Sequence, residues 1–382
     1  MKSPGNYTVN LSLGKFTASS NFNGIEYDCS DLFYKLSRFG RSFSCAPDDS
    51  MKFKAELFEN DHLLDSKIIE RRIFPENGVY NKVSKNGLIG HLFIPDGADN
   101  NKHPGILTIG GLGGPRLYRP SLLASRGFVT FEIEYHTTNG KQIAKDSYDL
   151  DYIEAGLEFL KSIPQVDRTR IGTMGISRGG EIAMSATRFL NSDNSIKAAV
   201  GISSPVWNSC FGPHVYKNKI LIPGSQTIAH KDYLKFDRQF FRNMFVKGPE
   251  VDKSKFEEIY ETNDNIFALD KFHEQMGQET LKETWLKIDE IEADTLFIFG
   301  ELDKNVPGPA CHELVKQIST ESVLYENTGH IIDTPYFGFK NELLTARGSD
   351  VYFDLGGTQN FHGEAEIDSW EKIVSFFNQK LK

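Results

Sequence analysis

Ser177 stands in the pentapeptide Gly175-Ile176-Ser177-Arg178-Gly179, between the apolar run "RIGTMGIS" and the helically spaced "GGEIAMSATRFL". A serine at a sharp strand-to-helix junction is held with its hydroxyl lifted off a sheet edge, as a nucleophile requires. Such a turn has no room for bulk beside the serine, which accounts for Gly175 and Gly179. A serine hydroxyl is a poor nucleophile without a base, so an acid and then a histidine are needed further along the chain. Asp303 follows the strand-like "DTLFIFG" and His330 follows "SVLYEN", each just past a strand's end. In that order His330 takes the serine proton and later returns one to the leaving group, while Asp303 fixes the imidazole tautomer. Glu301 competes with Asp303 as the acid, and His362 is an alternative base without a strand immediately before it. His312 falls within a helical pattern and reads as a surface or packing residue.

An acyl-transfer site also needs donors for the oxyanion. The backbone N–H of Arg178, next after the serine, is the first expected donor. The second comes from the loop "IGGLGGPR", where Gly110, Gly111, Gly113 and Gly114 let backbone approach closely; Gly111 or Leu112 is the expected donor. The same loop supports a rival reading. Gly111-x-Gly113 follows a strand, and Glu132 or Glu134 lies roughly twenty residues on, as in a dinucleotide-binding fingerprint. Against it, Arg116 occupies the third glycine position, Pro115 crowds the turn, and no Gly-Lys-Ser/Thr follows.

These residues need a scaffold, and the rhythm of the chain supplies one. From about residue 88, strand-like runs ("LIGHLFIP", "PGILTIGG", "VTFEIEY", "RIGTMGIS", "KAAVGISS", "DTLFIFG") alternate with helical patterns, and "SWEKIVSFFNQKL" is an amphipathic helix. That alternation predicts an α/β fold with a mostly parallel sheet. Before it, residues 1–78 carry short alternating stretches such as "YTVNLSL" and "SMKFKAELF", a small all-β unit, with 79–382 as the second domain. Residues 207–290 are a long insertion, densely charged with scattered aromatic residues from about His230 to Glu290, read either as a lid over the sheet edge or as a surface excursion.

Hydrophobic residues are 39% of the 382 and charged residues 25%, the balance of a globular protein. A formal net charge of -9 argues against non-specific nucleic-acid binding. The scattered Cys29, Cys45, Cys210 and Cys311 fit neither a metal site nor a disulfide framework and suit a reducing compartment. No apolar run is long enough to span a membrane and the start has no apolar leader, so a cytoplasmic protein without membrane insertion, metal or redox cofactor is expected.

The segments "PGILTIGGLGG", "YRPSLLASRGF", "GISRGGEIAMS", "ENTGHIIDTPYF" and "LGGTQNFHGEAEIDSWEKIVSFF" resemble the acyl-CoA thioesterase and bile acid-CoA:amino acid N-acyltransferase family. The resemblance runs from about residue 15 onward, with "SSNFNGIEYDCSDLF" and "IIERRIFPENGV" similar to part of that family's N-terminal β-sandwich. It implies an α/β-hydrolase fold behind a small N-terminal β-sandwich, with Ser177 as nucleophile, Asp303 as acid and His330 as base. It also implies a CoA thioester as substrate, whose phosphates would need local cations; Arg116, Arg119 and Lys304 are the expected candidates. Family analogy adds peroxisomal or mitochondrial alternatives for the compartment. The β domain is shortened and the insertion is longer than in the family, which bears on acyl specificity and not on the triad. The family's acyltransferases use cysteine at the nucleophile position and its thioesterases serine, so Ser177 implies hydrolysis. A carboxylesterase or peptidase of the same fold, and a silent acyl-CoA-binding protein, are the alternatives.

Overall fold

The computed structural model describes residues 6–13, 16–23, 50–98, 101–111, 114–135, 137–138, 141–142, 147–206, 214–221, 266–267, 286–318, 321–335, 343–345 and 352–382. The first four strands among the described residues are β1 (Asn6–Leu13), β2 (Phe16–Asn23), β3 (Met51–Glu59) and β4 (His62–Arg71). They form one antiparallel sheet in the order β2-β1-β3-β4. Leu11, Ala18 and Phe53 are buried. The β3–β4 hairpin turns on Asn60 and Asp61, both at positive φ, because a tight two-residue loop matches strand twist only in that conformation. The second layer that a sandwich requires is not among the described residues, and residues 24–49 lie outside them. β2 is a departure from the sequence reading. Its polar "FTASSNFN" hides the alternation that Ala18 reveals once paired with Leu11.

Eight further strands build the central sheet: β5 (Val79–Lys85), β6 (Leu88–Ile94), β7 (His103–Ile109), β8 (Val129–Ile133), β9 (Val166–Ile176), β10 (Ile196–Ile202), β11 (Asp294–Gly300) and β12 (Glu321–Tyr325). Their order is β12-β11-β10-β9-β7-β8-β6-β5. All neighbours are parallel except β6 with β8 and β5 with β6. β5 was not foreseen. It is an edge strand with little buried surface, and its signal is the Asn86-Gly87 turn at φ 51° and 83°.

The α-helices among the described residues are α1 (Tyr118–Ala124), α2 (Leu150–Ser162), α3 (Arg178–Phe189), α4 (Gly308–Lys316) and α5 (Gln359–Leu381). The alternation of each buried strand sends side chains to both faces. Leu107, Phe297 and Phe299 point to the face covered by α2, α3 and α4. Ile106, Met174, Val200 and Ile298 point to the other, covered by α1 and α5. The α5 residues Trp370, Ile373, Phe376, Phe377 and Leu381 recur at helical spacing and form the stripe that docks there. No helix among the described residues is long and apolar enough to cross a membrane.

Three layers, a second sheet strand that runs antiparallel, and a sharp strand-to-helix turn at Ser177 after the fifth make this an α/β-hydrolase fold. Because β7, β9, β10, β11 and β12 are mutually parallel, their carboxyl ends share one edge, and every expected site loop begins there. Of the 207–290 insertion, residues 214–221, 266–267 and 286–290 are described. His214–Tyr216 pairs with Ser147–Asp149, and Ile266–Phe267 pairs with Tyr352–Phe353. The remainder, with Cys210, lies outside the described residues, as do Cys29 and Cys45.

The docking of α5 has a clear centre. Phe377 is fully buried, makes an edge contact with Phe128 at 6.1 Å, and lies so close to β9 that a Cβ at Gly172 would stand 2.9 Å from its ring. Phe377→Ala is expected to lower unfolding free energy by roughly 3–5 kcal/mol. Urea unfolding checks it; a loss below about 1 kcal/mol would show that α5 does not anchor at this ring.

Candidate active site

β9 runs directly into α3, and Ser177 is the hinge between them at φ 53°, ψ −129°. A non-glycine residue in that region is strained by roughly 1–3 kcal/mol and holds only where its surroundings impose it. Here the N–H of Ser177 donates to Ile202 O at 2.8 Å, and its carbonyl accepts Gly180 N–H at 2.9 Å. The glycines are required by space. A Cβ at Gly175 would stand 2.0 Å from Gly179 O, and one at Gly179 would stand 2.2 Å from Ile109 O. Sequence reasoning missed a third, Gly180, whose added Cβ would meet that of Ser204 at 2.6 Å. From residue 171 to 187, Ser177 alone is not buried.

Asp303 and His330 meet at the ends of β11 and β12. Asp303 is 3% exposed and His330 5%, and Asp303 Oδ2 lies 2.8 Å from His330 Nδ1. An ionised carboxylate only accepts, so Nδ1 carries the ring proton and Nε2 is the basic nitrogen. The other carboxylate oxygen, Oδ1, accepts the N–H groups of Asn305 at 2.7 Å and Val306 at 2.9 Å. Glu301, the other acid considered, is exposed and accepts Asn327 N–H at 2.9 Å, so Asp303 is the carboxylate brought to the histidine. His312 bonds Ser322 Oγ at 2.6 Å from α4, away from this group.

Around His330 the backbone is tightly braced. His330 N–H donates to Leu355 O at 2.7 Å, and Gly329 N–H donates to His362 Nδ1 at 3.2 Å. His362 Nε2–H donates to Ile331 O. With both ring nitrogens engaged and the side chain buried, His362 is not available as a base. Burial pushes it down to about 4 from an ordinary 6.5.

Gly111 reaches Ser177, since a Cβ there would stand 3.3 Å from that of the serine. Its loop closes through Gly114 N–H to Gly111 O at 3.0 Å, with Gly114 at φ 90°. Leu112 and Gly113 lie outside the described residues. Arg178 opens α3, so its N–H has no carbonyl four residues earlier within the helix.

The three expected phosphate cations separate. Arg119 is 5% exposed, with Nη2 2.9 Å from Asp333 Oδ1. It serves an internal ion pair in place of the open contact expected of it, because a buried Asp333 carboxylate requires a countercharge. Arg116 Nη1 lies 2.9 Å from Tyr118 Oη and 3.5 Å from Asp333 Oδ2, and Tyr118 Oη donates to that same oxygen. Lys304 is half-buried beside Asp303. Glu132 and Glu134, the acids of the dinucleotide reading, are likewise committed inside. Glu132 accepts Arg116 N–H at 3.3 Å and burial pushes it up to about 7, while Glu134 pairs with His91 at 2.7 Å. Among the described residues, no group of three or more His, Cys, Asp or Glu is placed to hold a metal ion.

A family model described as BAAT / Acyl-CoA thioester hydrolase C terminal matches residues 148–382. The chain belongs to that family. Ser177, Asp303 and His330 all fall inside the matched span. Human acyl-coenzyme A thioesterase 1 is 28% identical over 325 residues, which cover 82% of this chain and 69% of that protein. Human acyl-coenzyme A thioesterase 2, mitochondrial, is 28% identical over 320 residues, 81% of this chain and 59% of that protein. Mouse bile acid-CoA:amino acid N-acyltransferase is also 28% identical, over 331 residues, 83% of this chain and 69% of its own length. The chain thus spans 59% to 69% of these relatives.

The burial of His362 sets a stability test. Its folded value is depressed, so folding stability is unaffected above about 6.5 and falls as the pH drops from 6.5 toward 4. A depression of that size corresponds to roughly 3 kcal/mol. Buried Glu132 contributes in the opposite direction, so the comparison is between wild type and His362→Gln by denaturant unfolding at neutral and acidic pH. The wild type is expected to lose about 3 kcal/mol more than the variant; equal losses would mean a solvated His362.

Proposed function

We propose that this chain hydrolyses an acyl-CoA thioester to a free acid and CoA through an acyl-serine at Ser177. The observation that carries the reading is the buried Asp303–His330 hydrogen bond at 2.8 Å on the sheet edge where Ser177 sits in its strained turn. The relatives' names supply the substrate class.

His330 Nε2 accepts the Ser177 hydroxyl proton as Oγ attacks the thioester carbonyl. Negative charge then develops on the carbonyl oxygen, to be met by Arg178 N–H and by Gly111 or Leu112 in the glycine loop. The C–S bond breaks, the CoA sulfur leaves with the proton from the imidazolium, and the acyl group remains on Oγ. Water enters, gives a proton to Nε2 and attacks the ester. Collapse releases the acid and returns the proton to Ser177. Lys304 and the partly exposed Arg116 are the candidates for a CoA phosphate.

Transfer to an amine is the second reading, favoured by the likeness to an N-acyltransferase. An oxygen ester is less open to aminolysis than a thioester, which places hydrolysis first for a serine. Two outcomes are expected. Ser177→Ala lowers acyl-CoA turnover by roughly 10⁴-fold or more in a folded protein, read as free thiol; near-normal thiol release would remove Ser177 as nucleophile. With glycine or taurine present in millimolar amounts, mass analysis finds mainly free acid, and Ser177→Cys raises the amide-to-acid ratio. Mainly acyl-amide from wild type would overturn hydrolysis, and turnover of nitrophenyl esters without acyl-CoA would assign a simple esterase.

A further inference from the structure

His362 lies outside the proposed proton relay, yet both of its ring nitrogens are tied to the backbone on either side of the base. Nδ1 accepts Gly329 N–H at 3.2 Å, and Nε2–H donates to Ile331 O, so the bonds bracket His330. The third hold is His330 N–H on Leu355 O at 2.7 Å. All three partners belong to one stretch, Leu355 to His362, which leads into α5. Its two glycines are what let it approach. A Cβ at Gly356 (φ 66°) would stand 1.7 Å from Leu302 O, and one at Gly357 (φ 87°) would stand 2.3 Å from Gly329 N. The second of these would also lie 3.0 Å from His362 Nδ1, in the passage through which the ring reaches Gly329. α5 itself is fixed to the sheet through Trp370 and Phe377.

Resting on the proposed reading of Ser177, Asp303 and His330, we propose that His362 is a positioning residue that sets the orientation of the base. One acceptor and one donor, held about 2.2 Å apart on a rigid ring, fix where the His330 backbone sits and hence where its imidazole points. Loss of the ring leaves Gly329 N–H and Ile331 C=O buried without those partners, and the loop relaxes to satisfy them. A shift of about 1 Å in a catalytic group costs on the order of 10²-fold in rate. Glutamine carries an acceptor and a donor at the same separation as the imidazole nitrogens, whereas phenylalanine keeps the ring and has neither.

The experiment uses the full chain and three proteins: wild type, His362→Gln and His362→Phe. In folded His362→Phe, kcat for acyl-CoA and the rate of fluorophosphonate labelling of Ser177 are expected to fall roughly 30- to 100-fold, with KM little changed. His362→Gln is expected to stay within about 3-fold of wild type in both. A folded His362→Phe protein that labels at the wild-type rate, or a glutamine variant as impaired as the phenylalanine one, overturns the proposal. Labelling does not depend on CoA, so a wild type that labels but turns over no acyl-CoA refutes the substrate reading and leaves this one intact. Nitrogen NMR of wild-type His362 tests the arrangement without any variant. A neutral ring protonated on Nε2 across neutral pH is expected, and an imidazolium or an Nδ1–H tautomer overturns it.

Discussion

A carboxylate removed from water must have its lone pairs met, and Asp303 organises the edge of the sheet around that requirement. Its oxygens accept two backbone N–H groups and the imidazole of His330. The two backbone bonds fix the loop after β11 in a tight turn, and the third draws in the loop after β12. Once those loops touch, no side chain fits between them. A Cβ at Gly300 would stand 2.4 Å from Thr328 O, and one at Gly329 would stand 2.0 Å from Gly356 O. One buried carboxylate thus ties together the two loops, their glycine contacts and the tautomer of His330.

Much of this was legible from the sequence because local chemistry coincides with global placement at those positions. Gly175, Ser177 and Gly179 announce a turn that only a few folds use, and Asp303 and His330 sit where apolar runs stop. The parallel sheet followed from near-continuous apolar strands such as β7 and β10, which are buried on both faces. The edge strands β2 and β5 were harder. With little to bury, they carry no hydrophobic pattern, and turn chemistry at Asn86-Gly87 is the better guide to β5.

Charges were read least well, and the reason is physical. A sequence shows that Arg119 is cationic and near a glycine loop; it does not show that Asp333, far along the chain, is folded against it. Long-range pairing of buried charge has no periodic signature. The same holds for His362, whose chemistry-bearing side chain suggested a base. The two bonds to Gly329 and Ile331 that occupy it arise only when α5 packs beside the loop of His330.

The position of α5 in the chain has a temporal side. Synthesis on the ribosome delivers β9, then β11 and β12, and only afterwards the segment from Leu355 to Phe377. A nascent chain extended through His330 already carries a serine, an aspartate and a histidine. It lacks the Leu355 carbonyl, the His362 ring and the aromatic stripe that closes one face of the sheet. The braces on the His330 loop and the stripe that covers one face of the sheet therefore come from the same later-made segment. The parts that hold the His330 loop in place thus emerge only after the residues they hold.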